Sequence, residues 1–161
     1  MVEVSREGRS NLSRAAWNAG KILLVYGAAG PMIGLIVFAI GISAITVLGG
    51  QPGGLWLAPF FLIYGVLFAH FVGLPWALVA GIAAFLLLHL VGNRAWIGAA
   101  SGLASFAIAT AGGFIEMPQA PDLSTGAATE SFVVAVDALM GLVHVASATA
   151  CWFIVRPLIR V

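Results

Sequence analysis

Residues 55–92 read LWLAPFFLIYGVLFAHFVGLPWALVAGIAAFLLLHLVG, a stretch that contains no Asp, Glu, Lys or Arg. As one α-helix it would be about 57 Å long, since each residue adds 1.5 Å. The hydrocarbon core of a bilayer is only about 30 Å thick. An uncharged stretch of this length is typical of membrane-spanning segments, and the way it crosses the bilayer decides how many spans the chain has.

The composition of the whole chain points to the same class of protein. Of its 161 residues 61% are hydrophobic and 8% are charged, whereas a soluble domain carries about 25% charged residues. A water-soluble globular domain is therefore excluded. A disordered chain is excluded too, because disorder requires low hydrophobicity and high net charge. We expect a single all-α integral membrane domain with little mass outside the bilayer.

Four apolar stretches predict a small polytopic bundle of four transmembrane helices. The expected transmembrane bundle covers residues 22–155, with spans at about 22–48, 67–91, 95–115 and 132–155. The remaining segments are expected to be a cytoplasmic N-terminal segment able to form an interfacial helix (1–21), an interfacial or re-entrant segment (55–66), an external acidic loop (116–131) and a cytoplasmic tail (156–161).

The alternative is five spans, in which 55–92 forms a helical hairpin that turns at Gly73-Leu74-Pro75. Basic residues collect on the cytoplasmic side of membrane proteins. With four spans and a cytoplasmic N-terminus, all seven basic residues lie on that side. With five spans three of them move outside. The charge distribution favours four spans with both termini cytoplasmic; the basic residues are Arg6, Arg9, Arg14, Lys21, Arg94, Arg156 and Arg160.

Small residues recur at helical spacing on three of the expected spans. Helices in lipid associate through such faces, because small side chains let two backbones approach closely. We expect these faces to pack within the chain's own bundle, with a second copy or a partner subunit as the alternative. The candidate packing residues are Gly27, Gly30, Gly34, Gly41, Gly98, Gly102, Ser105, Gly112 and Gly141.

Three polar side chains within the expected spans require an explanation: Asp137, His144 and His70. A carboxylate in mid-bilayer costs about 2.5–3.5 kcal/mol on insertion scales. Asp137 either reaches interfacial water or bonds a neighbouring Ser or Thr, or it binds a proton or a cation. His144, seven residues deeper on the same face, either bonds a carbonyl or Ser across a helix interface or relays protons. With four spans, His70 lies at a depth where it could meet Asp137.

Cofactor and enzyme chemistry find little support in the sequence. Haem b between helices needs two His ligands at matching depth, and His144 paired with His70 or His89 is not clearly matched; the cofactor stays unknown. The single Cys151 excludes an intrachain disulfide and a cysteine metal cluster. We expect no metal site and no enzyme, because no phosphate-binding loop, HExxH or GxSxG motif is present. The sequence contains no cluster of basic residues that would form a nucleic-acid-binding surface.

These observations favour an accessory or scaffold subunit of a larger membrane complex. The alternatives are a small proton- or cation-coupled transporter or channel that uses Asp137 and His144, and a haem b-binding electron-transfer subunit. The expected partners are the lipid bilayer and either other membrane subunits or further copies of the chain. A composition rich in Ala, Gly and Arg is typical of high-GC bacteria, so the expected location is a bacterial cytoplasmic (inner) membrane.

Overall fold

The computed structural model describes residues 2–113 and 127–159, with side chains described for 12–113 and 132–159. This part of the chain consists of helices joined by turns: α1 (Val2–Leu48), α2 (Leu57–Val91), α3 (Ile97–Ala111) and α4 (Ala127–Val155), with short 3-10 turns at Pro52–Trp56 and Arg156–Leu158. Three segments are long and apolar enough to cross a membrane, and they are Leu12–Leu48, Pro52–Val91 and Phe132–Leu158; α3 is apolar but shorter. The expectation of a small all-α membrane bundle is confirmed at this level.

α1 extends well beyond the expected span of 22–48. It begins at Val2 and continues without a break, so residues 2–21 are the first part of the same helix and do not form a separate interfacial one. The single Gly20 between the two parts costs only about 1 kcal/mol in a helix and does not stop it. Pro31 lies within α1 and is also accommodated.

α2 corrects the expectations for residues 55–92. The helix runs through Gly73-Leu74-Pro75, so the hairpin alternative is wrong. Its N-terminal part, from Leu57, covers most of the segment expected at 55–66, which is therefore not separate from the span. Pro75 deprives only one carbonyl, that of Phe71, of its helical partner. A turn at this point would leave several backbone groups without their intrahelical partners.

α3 is shorter than the expected span of 95–115. Its 15 residues make a helix of about 22 Å, and it ends at Ala111. Gly112 follows as its cap, and Gly113 adopts φ +72°, a conformation that terminates helices and that glycine adopts without strain. Residues 114–126, the last two of this expected span and the first part of the expected acidic loop (116–131), lie outside the described part of the chain, and α4 has already begun at Ala127.

The four helices follow one another around a ring, each antiparallel to the next. α1 contacts α2 and α4, and α3 contacts α4 and α2, whereas α2 and α4 lie diagonally and touch little. One end of the ring is closed by side-chain bonds to loop and terminal groups. There Lys21 Nζ donates to the Leu158 carbonyl (2.6 Å), Trp152 Nε1 to the Arg94 carbonyl (2.8 Å) and Arg156 Nε to Asn93 Oδ1 (2.9 Å).

The contact between α3 and α4 is a close backbone approach through two glycines. A Cβ atom at Gly98 would lie 2.7 Å from the Thr149 Cα, and one at Gly102 would lie 2.6 Å from the His144 carbonyl oxygen. Neither position can hold a side chain unless the helices move apart, because real Cβ atoms do not approach backbone atoms so closely. The Gly98 and Gly102 face of α3 is thus occupied by the chain's own α4.

The other candidate packing glycines also lie against this chain, with one exception. On α1, a Cβ at Gly30 would meet Ala77 Cβ at 3.1 Å, and one at Gly41 would overlap the Leu139 side chain. The remaining positions make ordinary contacts of 3.4–3.5 Å, namely Gly27 with Leu74, Gly34 with Val143 and Gly141 with Phe106. The exception is Gly112, which caps α3 and is exposed.

Substitution of Gly102 tests the α3–α4 contact. We expect Gly102→Leu to destabilise the protein by at least about 1–3 kcal/mol, since an inserted side chain forces the two backbones apart. Thermal unfolding in mild detergent measures the change. Ala107→Leu is the matched control, because Ala107 lies on the exposed face of the same helix. Equal unfolding temperatures for the two variants would show that α3 does not pack in this way.

Candidate functional site, a cleft between α1, α2 and α4

A cleft of about 370 Å³ lies where the diagonal helices α2 and α4 fail to meet. α1 forms its third wall, and Ser105 is the only residue of α3 that reaches it. Small-molecule sites in proteins typically have volumes of 300–1,000 Å³ and mostly apolar walls. This cleft fits both criteria, since its lining is largely aliphatic and aromatic; the aromatic side chains are Tyr26, Phe38, Phe61, Phe68 and Trp76.

The sequence creates this space by placing residues without bulk on the walls. On α1 the lining includes Gly30 and Gly34, and on α2 it includes Gly65, Ala69 and Gly73. These positions also bring α1 and α2 together, as a Cβ at Gly73 would already contact Pro31 at 3.4 Å. The same small residues therefore tighten the α1–α2 pair and leave room on its α4 side.

His144 is the most polar side chain of the cleft wall. It is half-buried, its Nδ1 lies 3.2 Å from Ser105 Oγ, and Ser105 Oγ donates to the Trp76 carbonyl at 2.9 Å. The imidazole ring is held between Phe106 (ring centroids 5.7 Å apart) and Trp76 (6.3 Å). Three helices thus fix one ring, with α4 carrying it and α2 and α3 flanking it.

The hydrogen-bond count assigns the proton on this ring. A hydroxyl has one hydrogen, and that of Ser105 is directed to the Trp76 carbonyl. His144 Nδ1 must then be the donor to Ser105, which leaves Nε2 as an acceptor in the neutral ring. Nε2 has no partner among the described residues and is not enclosed by them, and His144 lines the cleft. Nε2 is therefore the ring nitrogen that is available to a ligand there.

Two further side chains of the wall use their hydrogens within the protein. Ser147 Oγ donates to the Gly30 carbonyl at 2.7 Å, and Tyr26 Oη donates to the Ala148 carbonyl at 3.0 Å. Tyr26 Oη also lies 3.4 Å from Ser101 Oγ. The bonds of Ser147 and Tyr26 to these carbonyls join α1 to α4, and neither hydroxyl hydrogen is directed into the cleft.

The structure does not bring the three expected polar residues together. Asp137 lies on α4 but not in the lining of the cleft, and one of its carboxylate oxygens, Oδ2, is enclosed and has no hydrogen-bond partner among the described residues. It is seven residues from His144, about 10 Å along the axis. His70 bonds the Val66 carbonyl of its own helix at 3.0 Å. It lies at about the depth of Asp137, yet no described bond joins the two.

The depths of the histidines do not fit haem ligation. Trp76 of α2 faces His144, whereas His70 lies six residues and His89 thirteen residues away from Trp76 on that helix. These separations correspond to about 9 Å and 20 Å along the axis, so neither pair can clamp one iron from opposite sides. Within the described residues, no three His, Cys, Asp or Glu side chains gather into a possible metal site.

Sequence reasoning named Ser105 and His144 but did not pair them. Ser105 was expected only as a packing residue, while His144 was expected to bond an unspecified carbonyl or Ser. The available signal was the spacing of Ser105 from Gly102: three residues apart, they share a helix face, so a helix packed at Gly102 also directs Ser105 toward its neighbour.

No protein-family model, curated protein or solved structure matches this chain.

Proposed function

We propose that this chain is a multi-pass membrane protein that binds a small apolar molecule in the cleft between α1, α2 and α4. The observation that carries the proposal is the cleft itself, which combines a volume of about 370 Å³ with apolar walls and a single fixed imidazole. Binding sites of this kind have few polar groups, and those they have fix the orientation of the ligand.

The cleft supports this function better than the geometry supports a scaffold subunit. The scaffold interpretation drew on small-residue faces that a partner could cover. Gly30 and Gly34 contact α2 and α4 of the same chain, and Gly98 and Gly102 contact α4. These faces need no partner subunit to explain them, whereas the space beside His144 has no explanation within the fold.

Covalent labelling tests the proposal. In mild detergent, a long-chain alkane bearing a photoreactive diazirine should insert into residues of the cleft, mapped by mass spectrometry of peptides. Ala69→Trp should abolish this labelling because a large side chain fills the space that Ala69 lines. Leu67→Trp is the matched control, since Leu67 is 73% exposed and lies outside the cleft. Uniform labelling of all exposed apolar faces, unaffected by Ala69→Trp, would contradict ligand binding in the cleft.

We further propose that the chain has four spans and that both termini are cytoplasmic in a bacterial inner membrane. Lys21, Arg94 and Arg156 lie at one end of the ring, which the positive-inside rule assigns to the cytoplasm. In this arrangement α3 crosses as the shortest helix, and residue 124 lies outside. Ser124→Cys should react with an impermeant thiol reagent added to intact cells. Reaction only after membrane disruption would reverse the proposed orientation.

A second candidate function is a proton- or cation-coupled transporter or channel. It is favoured by one observation, the enclosed Oδ2 of Asp137 that lacks a hydrogen-bond partner, because intramembrane carboxylates commonly mark ion pathways.

Proton flux into liposomes that contain the purified protein and a trapped pH-sensitive dye separates the two candidates. If the cleft only binds a ligand, we expect no flux from the wild-type protein or from Asp137→Asn, and equal labelling of their clefts. A flux from the wild-type protein that Asp137→Asn abolishes, with its folding unchanged, would establish the transporter instead.

A further inference from the structure

We infer that the ligand of the cleft is a neutral amphiphile whose polar end is a hydroxyl group, and that this hydroxyl donates a hydrogen bond to His144 Nε2. The inference rests on the proposed function and specifies its ligand class. It covers fatty alcohols, isoprenoid alcohols and phenols, which share one O–H donor on an apolar body.

The hydrogen bonds made by four side chains of the wall favour a donor on the ligand. The hydrogens of Ser105, Ser147 and Tyr26 are directed to backbone carbonyls. His144 donates the hydrogen of Nδ1 to Ser105. These four side chains therefore offer lone pairs to the cleft, and one of these lone pairs is on Nε2. A ketone, ether or ester oxygen has no hydrogen to donate to them.

The charges around the cleft require the polar end to be neutral. None of the residues that line it is Asp, Glu, Lys or Arg, so the imidazole has no carboxylate beside it to stabilise an added proton. An unpaired charge within an apolar site of the bilayer is costly. The imidazole is therefore neutral here, and a carboxylate or ammonium on the ligand would have no counter-ion.

The distribution of the lining gives the ligand an orientation. Ser105, His144 and Ser147 lie together, near Trp76 of α2 and Gly30 of α1. Phe61 and Phe68 lie nearer the start of α2, two to four turns from Trp76. The hydroxyl belongs at the His144 end, and the apolar body extends along α2 toward Phe61.

Competition against the photoreactive alkane tests the head group. We expect 1-dodecanol to compete roughly fivefold more strongly than dodecyl methyl ether, the ratio that one net hydrogen bond supplies, and more strongly than dodecanoate. Equal competition by alcohol and ether, or preference for dodecanoate, would overturn the inference and leave the cleft a binding site. Failure of all three to compete, together with unlocalised labelling, would instead contradict the proposed function.

Variants and a direct observation of the ring complete the test. His144→Phe should remove the preference for alcohol over ether while both still compete, and His89→Phe should leave it unchanged because His89 is exposed and outside the cleft. If His144→Phe fails to fold, ¹⁵N NMR of the wild-type histidines decides. Nε2 of His144 should resonate as an unprotonated nitrogen and shift when 1-dodecanol, but not the ether, is added. A protonated Nε2, or no shift with dodecanol, would contradict the inference.

Discussion

The close approach of α3 to α4 at Gly98 and Gly102 is the contact on which the arrangement of the site depends. A Cβ at either glycine would come within 2.8 Å of the α4 backbone, at 2.7 Å and 2.6 Å respectively, so the distance between the helix axes is set by bare backbones. That distance places Ser105, one turn beyond Gly102, within reach of both the His144 ring and the Trp76 carbonyl. Because hydrocarbon offers no water to satisfy a misplaced hydroxyl, the serine then links α2, α3 and α4 as a unit. The short α3 thus determines where the imidazole of a neighbouring helix is held.

The cleft also depends on small residues at helix contacts, because these residues occur at some helix pairs and not at others. α1 packs closely against α2 and against α4, using glycine on its own surface in both cases, as at Gly30 beside Ala77 and Gly34 beside Val143. In a ring of four helices the two that flank α1 lie on a diagonal, and small residues on their facing surfaces leave the space between them open. α2 and α4 therefore diverge, and the aromatic side chains that border the gap, such as Phe38 with its edge-to-face contact to Phe61 at 5.3 Å, frame the gap and do not fill it. The close packing of α1 against α2 and α4 and the open space between α2 and α4 therefore have the same cause, which is the small residues on these helices.

The sequence predicts the helices well, and predicts less well how they end and meet. Apolar stretches of membrane length, interrupted only by Asp137 in the last of them, predict α1, α2 and α4, because burial in hydrocarbon demands helices that satisfy their own backbone groups. The choice between one helix and a hairpin at Pro75 was open in the hydropathy alone, since proline is tolerated in membrane helices and also favours turns. The end of α3 at Ala111 was missed because Phe114 and Ile115 continue the apolar run after Gly112-Gly113. The pairing of Ser105 with His144 depends on how α3 is rotated against α4. The two glycines of α3 constrain this rotation, but a hydropathy pattern carries no information about it. The cleft is still harder to predict from the sequence, because it depends on the mutual positions of three helices.

His144 differs from the two other histidines in a way that only the tertiary structure supplies. His70 and His89 direct Nδ1 to carbonyls of their own helices at 3.0 Å, the local bond that any histidine on a helix can make. His144 instead bonds a serine of another helix, and that serine has already committed its hydrogen elsewhere. The contact to Ser105 therefore restrains the rotation of the ring. It also fixes Nδ1 as the donor and leaves Nε2 as the free acceptor. A side chain restrained in this way at the wall of an apolar cleft costs the fold conformational entropy, and helix packing alone would be served equally well by an apolar residue at this position. The proposed recognition of a hydroxyl accounts for the imidazole, since a fixed acceptor distinguishes an alcohol from the hydrocarbon that surrounds it.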